Sequence, residues 1–147
     1  MSYLSKHDFS GRRALVTGAA QGIGEACAVA LAEAGAHVIV TDLDGSGAKA
    51  VTDRLTAKGM KADAHALDVT NTAALEALAD ALPALDVLVC NAGIVFNTPA
   101  EEMSDEEWER VLSVNLTGVF KTCRAFGRKM LRDAVRSSIS APCRPAS

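Results

Sequence analysis

Three glycines near the amino terminus form the most distinctive chemical pattern in the sequence. Residues 17–24 read TGAAQGIG, between a short β-branched run and a helical pattern. Glycine suits such a turn because it permits a sharp bend and lets the backbone approach a ligand closely. The first turn of the next helix offers free N–H groups and a positive dipole end, which attract phosphate. The pattern predicts a dinucleotide site at Gly18, Gln21, Gly22, Ile23 and Gly24; the alternative is a purely structural turn.

A carboxylate follows at the end of the second predicted strand. Dinucleotide-binding folds place an acidic residue there, where it accepts hydrogen bonds from the adenosine ribose. It would also repel a 2′-phosphate at close range. Asp42 occupies this position, and no Lys or Arg lies within residues 19–21. We therefore expect NAD as the cofactor. The alternative is that Asp42 only begins the next turn or caps a helix, which Asp44 can do.

Alternating strand and helix patterns must position these residues. Short β-branched runs predict strands at 13–17, 37–42, 61–67 and 86–90. Helical stretches between them imply right-handed βαβ units and a parallel sheet. The expected fold class is therefore α/β, with helices on a parallel sheet.

Five helices are predicted from apolar periodicity and from start and stop signals. The first carries an apolar stripe of small side chains and stops at Gly35, and the fourth opens with a capping box. The stripe of the first helix consists of Ile23, Cys27, Ala30, Leu31 and Ala34. The second, third and fifth helices are predicted at 44–58, 71–82 and 116–131, and the capping box of the fourth is Ser104 with Glu107.

Three further motifs occur in the order found in one enzyme family. Asp-Val at 68–69 follows the third predicted strand, Asn-Ala-Gly at 91–93 follows the fourth, and residues 114–118 read VNLTG. Together with the TGxxxGIG glycine pattern, they resemble the short-chain dehydrogenase/reductase family over about residues 9–132. The resemblance implies a nicotinamide cofactor and an α/β fold of the Rossmann type, a doubly wound parallel sheet in the order 3-2-1-4, truncated after the fourth strand and its following helices. The fourth strand would then be an unpaired apolar edge, which favours association with another chain.

The resemblance also assigns binding roles to the motif residues. It implies that Asp68 and Val69 bracket the adenine ring. It further implies that the segment after the fourth strand supports the nicotinamide ribose; this segment is Asn91, Ala92 and Gly93. Cys90 stands where the family has the first Asn of its NNAG element.

A catalytic role is implied for Asn115, which matches the tetrad asparagine that holds a kinked helix and a water on the proton path. The alternative is a polar side chain that only ties down backbone. Family members transfer hydride between nicotinamide and a carbinol or carbonyl carbon, using a Tyr acid/base, a nearby Lys and a Ser. The chain's single tyrosine is Tyr3, without a Lys at the required spacing. Since proton transfer contributes roughly 10²–10⁴-fold in rate, we expect this chain to be inactive.

Composition narrows the possible partners. The 147 residues are 49% hydrophobic and 22% charged, with a net charge of -3 and no basic cluster. We expect a folded cytoplasmic protein that binds neither nucleic acid nor membrane. No CxxC pair or zinc-spaced histidine is present, so no metal site is expected. Reduced structural thiols are expected at Cys27, Cys90, Cys123 and Cys143.

Aromatic residues on the last two predicted helices bear on assembly. Trp108, Phe120 and Phe126 are expected in the core or at a subunit contact rather than as a substrate platform. In the family these helices commonly pair with their copies, so the resemblance implies a homo-oligomer through Ser104 to Leu131. Residues 95–97 follow the fourth strand, where loops of open α/β sheets approach a ligand.

Two classes of function remain open at this point. The first is an NAD-dependent oxidoreductase acting on a small alcohol or carbonyl compound, with a sugar or polyol guessed from resemblance to bacterial polyol and sugar dehydrogenases. The second is a non-catalytic nucleotide-binding or oligomerisation module. A polypeptide without any function is a third reading.

The last fifteen residues differ in composition from the rest. DAVRSSISAPCRPAS at 133–147 is rich in Ser, Ala, Pro and Arg, so we predict a partial Rossmann domain over 1–132 and an aberrant or disordered tail. A frameshift near the Asp133 codon would explain the tail. If each codon boundary moves back one nucleotide, a TCN serine codon becomes an apolar one. One permitted decoding is Arg-Gly-Ser-Ile-Val-Asn-Ile-Ser-Ser, which resembles the family's fifth strand leading to the catalytic serine.

Overall fold

The described part of the chain forms a parallel four-stranded sheet with helices on both faces. The computed structural model describes the backbone of residues 8–140 and the side chains of residues 8–132. In chain order the elements are β1 (Arg13–Thr17), α1 (Gly22–Glu33), β2 (His37–Asp42), α2 (Gly45–Ala57), β3 (Ala62–Ala66), α3 (Thr72–Ala81), β4 (Val87–Val89), α4 (Asp105–Leu112), a π-helical segment (Ser113–Gly118) and α5 (Val119–Ser140).

The strand order is β3-β2-β1-β4, and each neighbouring pair is parallel. The predicted α/β class and the order 3-2-1-4 are therefore confirmed. The register pairs Thr17 with Thr41 and Asp42 with Ala66, so the carboxyl ends of β1, β2 and β3 lie side by side. Loops that follow these strands consequently meet along one edge of the sheet.

Successive residues of β1 point to opposite faces of the sheet, as the strand period requires. Ala14 and Val16 pack with apolar residues of α1 and α2 on one face. Leu15 packs on the other face with residues of α3 and α5, including Leu75 and Phe126. Both faces are thus covered, which explains why the central strands are apolar throughout.

Three predicted helix starts are confirmed by their capping hydrogen bonds. The Asp44 carboxylate accepts from the backbone N–H groups of Ser46 and Gly47 at the start of α2. Asn71 accepts from the backbone N–H of Ala74 at the start of α3. Ser104 and Glu107 form the expected reciprocal capping box at the start of α4. The three helices therefore begin at the polar residues that the sequence identifies as N-caps.

The predicted apolar stripe of α1 was wrong by one position. The buried row is Gly24, Ala28 and Ala32, whereas Ile23 at the head of the predicted stripe is 78% exposed. The smallest side chains face the sheet because α1 lies close to it, and an added Cβ at Gly24 would collide with the carbonyl oxygen of Gly18. Close helix–strand packing therefore took precedence over side-chain hydrophobicity.

The two last predicted helices form one continuous helical run. Leu112, Ser113 and Val119 all have right-handed helical backbone angles, so α4 passes through the π-helical segment into α5 without a break. α5 continues to Ser140 rather than ending near Leu131. No Gly or Pro interrupts residues 128–141, so no local signal stops the helix.

The predicted tail is only partly described by the structure. The backbone of its residues 133–140 continues α5, and residues 141–147 lie outside the described part of the chain. Within the described part, no helix combines the length and apolarity that crossing a bilayer requires.

Candidate functional site

The glycine turn between β1 and α1 has the backbone conformation that its sequence predicts. Gly18 and Gly22 have positive φ angles of 64° and 61°. A Cβ added at Gly18 would lie 2.6 Å from the Cα of Ala92, whereas one at Gly22 would meet no atom within 4 Å. Gly18 therefore permits close backbone packing. Gly22 faces open space, in which a ligand could approach the main chain.

The amino end of α1 is open to such a ligand. Gln21 is the N-cap residue with an extended backbone, and its side chain makes no capping hydrogen bond. The first-turn N–H groups of α1 therefore lack the side-chain acceptor that Asp44, Asn71 and Ser104 supply to α2, α3 and α4. Unpaired N–H groups at a helix start suit an anion such as phosphate.

The loop after β4 is fastened to the glycine turn through Thr17 and Asn91. The Thr17 hydroxyl accepts from the backbone N–H groups of Asn91 and Ala92, each over 3.1 Å. The Asn91 side-chain amide donates to the carbonyl oxygens of Thr17 at 3.1 Å and Gly18 at 2.9 Å. These bonds join two predicted binding segments that are far apart in sequence.

Sequence reasoning did not assign a site role to Thr17. Its side chain is 1% exposed, at the carboxyl end of β1. A hydroxyl at the buried end of an apolar strand is a usable signal, because buried polar groups require hydrogen-bond partners. Its partners in the loop after β4 become visible only once β1 and β4 are neighbours.

Asp42 lies beside the glycine turn at the end of β2. One carboxylate oxygen accepts from the backbone N–H of Ala20 over 3.0 Å. The other accepts from the backbone N–H of Asp44 over 3.0 Å. Each carboxylate oxygen has a second lone-pair direction, so both can still accept from hydroxyl groups. The helix cap is supplied by Asp44 instead, so Asp42 does not cap α2.

Asp68 and Val69 follow β3 at the same edge. Asp68 accepts from the hydroxyl of Thr70 at 2.7 Å and from its backbone N–H at 2.8 Å. These two hydrogen bonds, with smaller contributions from the charges of Arg110 and Lys121, lower the pKa of the Asp68 carboxyl below its usual value. The carboxyl is therefore ionised at neutral pH and holds the tight loop after β3.

Gly118 brings the π-helical segment against the loop after β3. A Cβ at Gly118 would lie 2.8 Å from a methyl carbon of Val69. Val69 is buried, and the Lys121 ammonium donates to the Thr70 carbonyl oxygen over 2.7 Å. The VNLTG motif is thus packed on the Asp-Val motif.

Asn115 lies in the π-helical segment and bonds to the loop after β4 through both ends of its amide. Its oxygen accepts from the backbone N–H of Ile94 over 2.8 Å, and its nitrogen donates to the Ile94 carbonyl over 2.9 Å. The oxygen would also lie 3.4 Å from a Cβ placed at Gly93. Asn115 therefore fixes the backbone just beyond the Asn-Ala-Gly motif.

The structure brings every predicted binding segment to the carboxyl edge of the sheet. Direct contacts join the glycine turn to 91–93 and to Asp42, Asn115 to the loop at 93–94, and Val69 to Gly118. Among the predicted aromatics, Phe126 is buried in the core, whereas Trp108 and Phe120 are more than half exposed. Val95 is exposed in the loop after β4.

Comparison with known protein families identifies the family of this chain. The family model for short chain dehydrogenases matches residues 12–139, and the chain is therefore a member of that family. This confirms the resemblance drawn from the four motifs.

Curated relatives include two polyol dehydrogenases. The chain is 42% identical over 125 residues to D-threitol dehydrogenase from Mycolicibacterium smegmatis, covering 82% of this chain and 48% of the relative. It is 42% identical over 140 residues to galactitol 2-dehydrogenase from Rhizobium johnstonii, covering 89% of this chain and 52% of the relative. The chain thus spans about half the length of these relatives.

A solved structure gives the same result. Gluconate 5-dehydrogenase from Burkholderia cenocepacia, in complex with NADP and tartrate, superposes with a TM-score of 0.82 at 35% identity. The match covers 90% of this chain and 53% of that protein. The Rossmann-type fold is therefore confirmed for the half that is matched.

Proposed function

We propose that this chain binds NAD along the carboxyl edge of its sheet, as part of a short-chain oxidoreductase of small sugars or polyols. The observation that carries the proposal is Gly22, whose positive φ and open surroundings lie at the uncapped start of α1. Gly11 and Gly59 share this conformation and open surroundings, but Gly22 lies at a helix start with no side-chain cap, where a phosphate can approach the free N–H groups. A cytoplasmic location remains a prediction.

The residues at this edge fit a dinucleotide by their chemistry. In the proposed complex the N–H groups at the start of α1 hold the pyrophosphate, with Gly18, Gln21, Gly22, Ile23 and Gly24 forming the turn. Asp68 and Val69 lie against the adenine, and Asn91, Ala92 and Gly93 support the nicotinamide ribose. NAD, when bound, supplies the hydride acceptor.

The choice of NAD over NADP rests on Asp42. Its carboxylate accepts from Ala20 within the glycine turn, which holds the negative charge next to the proposed ribose position. A 2′-phosphate there would face this charge, and residues 19–21 offer no Lys or Arg to offset it. Solved relatives are in complex with NADP, so the test of this preference titrates both cofactors.

The substrate proposal is a small alcohol or carbonyl compound of the polyol or sugar type. The support is the polyol substrates named for the two curated relatives. We further propose that the 147-residue chain by itself does not turn over substrate. Asn115 is its only match to the catalytic tetrad, and the sole tyrosine, Tyr3, lies outside the described residues.

The alternative is a module that binds nucleotide or assembles without catalysis. It is favoured by the large apolar side chains exposed on the last helical run, since Trp108, Leu116 and Phe120 are 55%, 64% and 60% exposed. The same side chains support the proposal of a homo-oligomer formed through the helices spanning Ser104 to Leu131. Exposed apolar patches often mark sites of protein association.

The test compares two glycines that share a conformation but differ in position. Gly22 and Gly59 have φ angles of 61° and 81°, and a Cβ at either would meet no atom within 4 Å. Gly22→Ala and Gly59→Ala should therefore cost similar stability. By isothermal titration with NAD, only Gly22→Ala is expected to weaken binding, by roughly tenfold or more.

A turnover assay with polyols and NAD tests the proposed inactivity of this chain. NAD binding without turnover agrees with the proposal, and also with a non-catalytic module that binds nucleotide. Turnover by the chain alone would contradict the proposed inactivity. Equal NAD affinities for the two glycine variants, or no NAD binding by a chain that melts cooperatively, would overturn the cofactor site.

A further inference from the structure

Two cysteines meet between the sheet and the last helix. Cys90 directly follows β4, and Cys123 lies in the first turns of α5, 33 residues later. Their sulfur atoms are 3.6 Å apart. The sequence predicted reduced structural thiols, because the two cysteines form no local motif. The pairing is a tertiary feature, produced by the packing of α5 beside the end of β4.

The distance is compatible with covalent bonding. A disulfide requires a separation of about 2.0 Å between the sulfurs, so they need to approach by roughly 1.5 Å. Cys27, in α1, is not part of this contact. Within the described side chains, Cys90 and Cys123 are therefore the thiols poised to react with each other.

The two thiols differ in accessibility. Cys123 is exposed, whereas Cys90 is partly buried. Burial, together with the hydrogen bond to Cys123, raises the pKa of Cys90 to about 12. Because Cys123 is the exposed thiol, it is the one that an oxidant reaches first, and Cys90, 3.6 Å away, is the one that resolves the product.

We propose that Cys90 and Cys123 are a redox-reactive dithiol pair, which a small disulfide such as oxidised glutathione converts into an intramolecular disulfide. The Cys123 thiolate attacks one glutathione sulfur, and the S–S bond of glutathione breaks. The first glutathione leaves as a thiolate and takes up a proton. The Cys90 thiol then attacks the Cys123 sulfur, the bond from Cys123 to the second glutathione breaks, and the Cys90 proton passes to the departing glutathione thiolate. The two cysteines lose two electrons and two protons, and the two glutathiones gain them.

The disulfide would restrict the motion of the proposed cofactor edge, because Cys90 directly precedes Asn91. The next residue, Asn91, holds the glycine turn through its side-chain amide. A bond from Cys90 to Cys123 fixes the end of β4 to α5, and it closes a loop of the unfolded chain. The oxidised chain should therefore melt several degrees higher than the reduced chain.

The experiment uses the full chain with Cys27→Ser and Cys143→Ser, which leaves only the proposed pair. Native and guanidinium-unfolded samples are incubated with oxidised glutathione, and the products are measured by intact mass and peptide mapping. The expected native product has lost two hydrogens and contains a Cys90–Cys123 peptide link. It should form roughly tenfold faster than in the unfolded chain, because packing holds the sulfurs together. Adding Cys90→Ser should stop the reaction at a glutathione adduct on Cys123.

Equal rates in the native and unfolded samples would overturn the proposal. So would a stable glutathione adduct at Cys123 in the chain that retains Cys90. A wild-type map in which Cys27 or Cys143 competes equally for Cys90 would also contradict the pairing. Reduction of the product by dithiothreitol, with return of the lower melting temperature, is the supporting result.

Discussion

The side-chain amide of Asn91 donates a 2.9 Å hydrogen bond to the main-chain oxygen of Gly18. This bond links the loop after β4 to the turn after β1. Gly18 in turn lies against the backbone of Ala92, where any side chain on Gly18 would collide. The two segments therefore depend on each other for their positions, and a change in one should be felt in the other.

Gly18→Ala tests this dependence. The substitution combines an unfavourable positive φ of 64° with a Cβ placed 2.6 Å from the Cα of Ala92. We expect it to lower the free energy of unfolding by about 3 kcal/mol or more, in denaturant titrations. Gly11→Ala is the control, because Gly11 has a φ of 79° and an added Cβ would meet nothing within 4 Å. It should cost only about 1 kcal/mol. Equal costs would show that the contact with Ala92 is unimportant.

Asn115→Ala tests the tie between the π-helical segment and the loop after β4. It removes both hydrogen bonds to Ile94, so we expect a loss of about 1–2 kcal/mol and faster amide exchange at Ile94. Asn71→Ala removes the cap of α3 at a similar cost of about 1 kcal/mol. That control should leave exchange at Ile94 unchanged. Protection of Ile94 that survives Asn115→Ala would refute the positioning role.

Association of the chain is expected from the edge position of β4. β4 pairs with β1 on one side and forms an edge of the sheet as described, and apolar strand edges favour pairing with another chain. Sedimentation velocity should show concentration-dependent association. If Phe120→Glu abolishes association, the contact lies on the exposed helical surface formed by Trp108, Leu116 and Phe120. If association persists in this variant, the contact is assigned to the β4 edge. A monodisperse monomer with a cooperative melt would contradict the prediction.

The reading-frame proposal for the segment after Arg132 is tested on the gene. The family match continues to residue 139, and α5 continues to Ser140, so neither marks Asp133 as a boundary. If a frameshift occurred, moving the frame back one nucleotide should reveal a Gly-x-Ile-Val-Asn-Ile-Ser-Ser peptide and a downstream Tyr-x-x-x-Lys. Restoring that frame should give an active NAD-dependent enzyme. A shifted frame without either sequence would reject the proposal.

Much of the fold followed from local chemistry in the sequence. The caps at Asp44, Asn71 and Ser104 act within a few residues. Parallel pairing follows from general rules for βαβ units, and the strand order followed from the family resemblance. The continuous run from α4 through Asn115 into α5 was not predicted, because apolar periodicity does not distinguish a π-helical segment from a break. The one-residue error at Ile23 arose because the short distance between α1 and the sheet, and not side-chain hydrophobicity, determines which face of α1 is buried.

The candidate site was predictable as a set of motifs but not as a set of contacts. Asp42 and the glycine turn can be identified from their spacing in the sequence. The hydroxyl of Thr17 and the Cys90–Cys123 contact do not, because each depends on a partner more than thirty residues away. Such partners become apparent only after the strand order and helix packing are known.

The cofactor preference tests the account most directly. NAD and NADP are titrated at equal ionic strength into the wild-type chain, Asp42→Asn and Asp44→Asn. Asp44→Asn is the matched control, because Asn also caps helices well. We predict that the wild-type chain and Asp44→Asn bind NAD at least roughly tenfold more tightly than NADP, and that Asp42→Asn narrows this ratio because the charge facing a 2′-phosphate is gone. Comparable or tighter binding of NADP by the wild-type chain would contradict the account.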